Sequence, residues 1–166
     1  MTNTPRPADA CLERTRSAVL NVMVAAGIGI AVSGFLLRWR DRWALTRAPE
    51  PVRIGLIAGL VALAVASHVV RRTVAGRRAL RDPVRRETRF YYGHVVSAIL
   101  GALAVPLGLA YGWFIQPRFD PVGMFWIVAT TLGLLALPRS YELEGLDDPD
   151  PNPDSHPTPG PNTPHP

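Results

Sequence analysis

Lysine is absent from this chain of 166 residues, and all 18 of its basic side chains are arginines. Alanine, glycine and proline are abundant alongside them, the mark of a GC-rich genome, so the formal charge of +5 does not point to a nucleic-acid partner. Cysteine occurs once, at Cys11, which excludes an intrachain disulfide and leaves no companion thiolate for a metal site. Four long apolar stretches, 18–37, 52–70, 91–115 and 122–137, hold no Asp, Glu or Lys. That absence removes the embedded carboxylate through which a small proton-coupled transporter works. A glycine-rich phosphate loop, a HExxH helix and a CxxC pair are missing as well. Asn21, Ser33, Ser67, Ser97, Thr130 and Thr131 are scattered without a general base nearby, so they read as hydrogen-bonding glue between helices and not as nucleophiles. No enzymatic chemistry is expected, and no cofactor is called for.

What the chain does have is hydrophobic length. The four stretches run for 20, 19, 25 and 16 residues, against roughly 20 for a helix that crosses the hydrocarbon core. Their only arginine is Arg53, in the first turn of the second stretch, where it can snorkel outward. The expected fold is therefore all-α: a polytopic membrane protein with four transmembrane helices in an antiparallel bundle. A polar cytoplasmic lead, 1–17, precedes it, and a disordered, acidic, Pro-rich tail, 138–166, follows. The tail carries Glu142, Glu144, Asp147, Asp148, Asp150 and Asp154 and then repeated prolines, and it has too little to bury to offset its ordering entropy. The first stretch exceeds a signal-peptide core and ends in Arg-Trp-Arg-Asp-Arg instead of a cleavage site, so it is expected to stay as a span.

Arginine distribution orients the bundle, because short positively charged loops are retained in the cytoplasm. With both termini inside, twelve arginines fall on the cytoplasmic side and six outside. The expected location is thus a cell membrane, multi-pass, with cytoplasmic termini, as in the inner membrane of a GC-rich bacterium. Trp39, Trp43, Trp113 and Trp126 then share the outer interface.

Between the second and third stretches lie Arg71, Arg72, Arg77, Arg78, Arg81, Arg85, Arg86 and Arg89. Such a juxtamembrane run is drawn to anionic headgroups by about 1 kcal/mol per arginine, and it is the expected contact for lipid or an acidic partner. Asp82 followed by Pro83 is a helix-start signature, placing the onset of the third helix near Pro83.

Small residues mark the expected helix contacts. Ser97, Gly101, Ala104, Gly108 and Gly112 fall on one face of the third span, Gly55, Gly59, Ala62 and Ala66 on one face of the second, and Ala25, Gly29 and Ser33 along the first. Backbones can approach closely there, which matters where lipid supplies no hydrophobic drive between helices. Pro106 should kink the third span.

Two histidines offer the only buried chemistry. His68 and His94 lie at similar depth on consecutive spans, so paired imidazoles could ligate haem iron or a metal. Yet His94 falls on the small-residue face whereas His68 stands about 200° from that of its own helix, which favours ordinary interfacial histidines. The sequence reading is therefore a small non-enzymatic membrane protein that binds a membrane-protein partner or a second copy of itself. The competing reading is a haem-binding or small-solute transport protein that uses the bundle interior.

Overall fold

The structure, a computed structural model, describes residues 7–40, 49–76, 80, 85–115 and 119–142. Arg77, Arg78, Arg81, the Asp82-Pro83 pair, Trp43 and the tail beyond Glu142 lie outside the described residues. Among these residues, five α-helices and a final turn follow one another: α1 Pro7–Arg40, α2 Glu50–Val74, α3 Arg86–Ala102, α4 Ala104–Phe114, α5 Phe119–Ala136 and a 3-10 turn at Ser140–Glu142. No strand occurs among the described residues.

Local sequence explains the helix limits. Pro7 sits at the start of α1, where its missing N–H costs nothing, and no glycine or proline interrupts the chain from there to Gly27. The helix therefore runs through much of the segment expected to be a non-spanning lead, reaching 34 residues, about 51 Å at 1.5 Å per residue. In α2, prolines and Glu50 open the first turn while Arg71 and Arg72 occupy the last, each sign matched to the helix dipole. Helix α3 starts at Arg86, three residues beyond Pro83. It gives way to α4 at Leu103 because Pro106 has no N–H to offer the carbonyl of Ala102 and its ring crowds that group. Bonds from Leu103 N to Ile99 O at 3.0 Å and from Leu107 N to Leu103 O at 3.4 Å carry the chain across the break. The result is one rod interrupted at Leu103.

Among the described residues, three rods are long and apolar enough to cross a membrane: Asp9–Trp39, Glu50–Val74 and the α3–α4 rod Arg86–Phe114. The fourth apolar helix, Asp120–Ala136, is shorter. The α3–α4 rod is the central one, with 44% of its apolar window buried against 11% and 6% in the first two. Contacts fix how the rods meet. Along α2 and the central rod, Ala75 stands by Gly93, Ser67 by Ser97 and Gly59 by Leu107, so residue numbers run in opposite senses. The same holds for α5, where Ala136 meets His94, Leu132 meets Gly101 and Phe125 meets Gly108. Helix α1 runs with the central rod, from Arg14 at Tyr91 to Leu37 at Gly112.

Small side chains make these approaches. Ser97, Gly101, Ala104, Gly108 and Gly112 are all buried. A Cβ added to Gly101 would lie 2.8 Å from Leu132 Cβ, and one on Gly112 would lie 2.7 Å from Leu37 Cδ2. The second stripe behaves differently. Gly55 is exposed with nothing within 4 Å of where its Cβ would stand, and a Cβ added at Gly59 would make only an ordinary 3.4 Å contact with Leu107. Among the described residues the contact expected at Gly55 is therefore not made, because the face of α2 that packs is the one carrying Ser67. Leu37, Tyr111, Val122 and Phe125 fill the core toward one end, Ala104, Val105 and Ala129 the middle, and Val19, Ala98 and Ala136 the other end. Outside, Val24, Ile28, Phe35, Ile54, Val61, Ile127 and Leu134 are each more than half exposed. Such a surface suits hydrocarbon, not water.

Candidate functional site at the basic end of the bundle

One end of the molecule gathers the start of α1, the end of α2, the start of α3 and the end of α5, as the contacts Arg14–Tyr91, Ala75–Gly93 and His94–Ala136 require. Arg14, Arg16, Arg71, Arg72, Arg85, Arg86, Arg89 and Arg139 are all carried there. At its centre is His94, fully buried on α3, its ring 4.6 Å from that of Phe90 and tilted by 55°.

Helix α5 ends among these side chains with its last carbonyls in need of donors. Arg71 Nη1 donates to Leu135 O, and His94 Nδ1 lies 2.8 Å from Ala136 O. A carbonyl only accepts, so Nδ1 carries the proton of that bond. Side chains of two other helices thus cap α5, as basic groups do at helix C-termini. Four residues later the chain turns back. The 3-10 turn brings Glu142 between the same two side chains, with Oε1 2.7 Å from Arg71 Nη2 and Oε2 2.9 Å from His94 Nε2. The Arg71 contact is a hydrogen-bonded ion pair. The His94 contact is close in distance but does not meet hydrogen-bond geometry.

Burial pushes the Glu142 carboxyl upward, but His94 and Arg71 outweigh it and hold the group below the usual carboxylate range. The side chain is only 17% exposed and Arg71 only 25%, whereas the Arg53–Glu50 pair is 50% and 69% exposed. An exposed pair is worth about 0–1 kcal/mol, while a hydrogen bond to a charged group in a drier setting contributes about 1.5–3 kcal/mol. The Arg71–Glu142 lock is therefore worth more than the Arg53–Glu50 pair. One helical turn deeper, the Ser67 and Ser97 hydroxyls are 2.7 Å apart, each also within 3.1–3.2 Å of the other's carbonyl. They satisfy one another between α2 and α3.

The other expected site residues divide. His68 is exposed on α2, whereas His94 is fully buried with its Nδ1 bonded to Ala136 O. Among the described residues, no three His, Cys, Asp or Glu side chains are grouped to hold a metal. Of the arginines expected at lipid or partner, Arg71 turns inward to the lock, and Arg86 Nε donates to Leu80 O at 3.0 Å. Arg72 and Arg85 are exposed and Arg89 is partly buried. Sequence reasoning missed Glu142, assigning it to a structureless tail that was to begin at Pro138. Pro138 is in fact buried and the chain is ordered into a turn through Glu142. The available signal was position: Glu142 is the first acid after the last apolar stretch, within two turns of a helix end.

No protein family, curated protein or solved structure matches this chain.

Proposed function

We propose that this protein is a small, non-enzymatic accessory subunit of a cell membrane, an antiparallel four-span bundle with both termini in the cytoplasm. In this reading its arginine-rich end and acidic tail face a partner. The observation that carries the reading is the Arg71–Glu142–His94 lock. It spends an arginine, a buried histidine and a carboxylate on holding the start of the tail against the arginine-rich end, which is how a scaffold presents a segment and not how a catalytic pocket is built. The twelve-to-six arginine division supports the orientation. The self-satisfied Ser67–Ser97 pair is in keeping with an interior that serves packing.

The test is purification of the full chain in mild detergent, with identification of co-purifying membrane proteins. Parallel preparations carry Glu142→Gln, or alanines at Arg72 and Arg85. A partner retained by the wild type and lost from these variants is the expected result; a chain that purifies alone, with or without the substitutions, refutes the reading. An absorbance scan of the same sample addresses the haem alternative, which requires a Soret band abolished by both His68→Ala and His94→Ala.

A further inference from the structure

A cleft of about 510 Å³ opens at the basic end between α1 and α3, lined by Ala10, Cys11, Arg14, Glu87, Tyr91 and Tyr92 together with Thr88. Its two walls are held together. Cys11 Sγ lies 3.9 Å from Glu87 O, and the Arg14 guanidinium stands over the Tyr91 ring at 5.4 Å from its centroid. Tyr92 meets Tyr91 edge-on at 5.6 Å and is 57% exposed. Every lining residue belongs to the first turns of the two candidate spans Asp9–Trp39 and Arg86–Phe114 or lies within about one turn of them. In a membrane that is the depth of the lipid headgroups, where tyrosine is favoured.

The chemistry of the lining is of both signs. A cation fixed by stacking, a carboxylate and two aromatic rings share one cavity, and its volume falls within the usual range of small-ligand sites, about 300–1,000 Å³. A purely anionic ligand would satisfy Arg14 and be repelled by Glu87. A ligand with a phosphate and a primary ammonium a few bonds apart answers both groups. The phosphate pairs with Arg14, already oriented by Tyr91. The ammonium donates to the Glu87 carboxylate and rests against the tyrosine faces.

We propose that this cleft binds the zwitterionic headgroup of a phosphatidylethanolamine lipid whose acyl chains lie along the exposed apolar faces of α1 and α3. A quaternary ammonium has no N–H for Glu87, so phosphatidylcholine fits less well. Phosphatidylglycerol has no ammonium at all. The inference requires the chain to sit in a membrane but not to have a protein partner, so it fails separately from the accessory-subunit reading.

The experiment is native mass spectrometry of the delipidated full chain in mild detergent, titrated with phosphatidylethanolamine, phosphatidylglycerol and phosphatidylcholine of matched acyl chains. Phosphatidylethanolamine should bind most tightly. Arg14→Ala should weaken it about five-fold, the worth of one arginine at a headgroup surface, and Arg14→Lys should recover most of that loss. Glu87→Gln should erase the preference for phosphatidylethanolamine while leaving phosphatidylglycerol binding as strong or stronger. Both positions are exposed, so all three variants should fold and unfold cooperatively without lipid, with Arg14→Ala melting slightly below the wild type for want of its stacking on Tyr91. Glycerophosphoethanolamine, which has the headgroup but no chains, should fail to compete at equal concentration. Equal binding of the three lipids, a preference unmoved by Glu87→Gln, or full competition by the soluble headgroup would overturn the proposal.

Discussion

Adding one methyl group at Gly108 should weaken the bundle, whereas the same methyl at Gly55 should strengthen it. At Gly108 the new Cβ would stand 2.8 Å from Phe125 Cβ and 3.3 Å from Phe125 Cγ, where ordinary carbon contacts lie at about 3.5–4.0 Å. Phe125 Cβ is one bond from the backbone of α5, so relief requires α4 and α5 to move apart. Overpacking of this kind costs about 1–3 kcal/mol. Alanine recovers about 1 kcal/mol through its higher helix propensity, leaving Gly108→Ala destabilised by about 0–2 kcal/mol. At Gly55 nothing lies within 4 Å of the new Cβ, so only the propensity gain of about 1 kcal/mol remains. The two variants should then differ by about 1–3 kcal/mol. For a chain of this size that is about 2–12 °C in Tm. Thermal melting in one mild detergent, followed by tryptophan fluorescence, measures it. Equal midpoints for the two variants, or a lower one for Gly55→Ala, would refute the packing argument.

Other outcomes follow from the lock and the charge distribution. Glu142→Gln should lower stability by about 1–3 kcal/mol, since it leaves Arg71 and His94 with a neutral amide; a denaturation series against wild type reads this. Because the folded Glu142 carboxyl is held below its ordinary value by His94 and Arg71, its stabilisation is complete above about pH 4.3 and is lost as pH falls through the lower folded value. Wild-type Tm should accordingly drop more steeply on acidification below that point than the Tm of Glu142→Gln; parallel curves would show that the lock carries no proton linkage. Reporter fusions near Arg78 and Asp150 should report the cytoplasm, and fusions near Arg47 and Arg118 the opposite side. A second loop found outside would reverse the orientation.

Much of the architecture is written along the chain, because hydrophobic length and the kinking effect of proline are local properties. The four apolar stretches are all helical, and the helix break at Leu103 follows from Pro106. The buried face of the central rod also follows from its spacing of small residues, since helical periodicity alone puts Ser97, Gly101, Ala104, Gly108 and Gly112 on one side. Which side of α2 packs was not legible in this way. Gly55 and Ser67 both lie on one helix with small residues on more than one face, and only the partner helices settle that Ser67 turns inward while Gly55 is left open.

The candidate site shows the same division more sharply. Sequence by itself determined that arginines crowd one set of connections and that His94 lies near the start of a span, because composition and periodicity read straight from the chain. Tertiary structure decided their partners. Arg71, His94, Leu135, Ala136 and Glu142 come from four separate elements and up to 71 positions apart, and no local pattern encodes that distance. What joins them is the need of a helix end for donors and of a carboxylate for cations, and that need is met by whichever side chains folding brings within about 3 Å. The carboxylate that sequence alone places at the head of a solvated tail is therefore, in the folded protein, the group that closes the bundle.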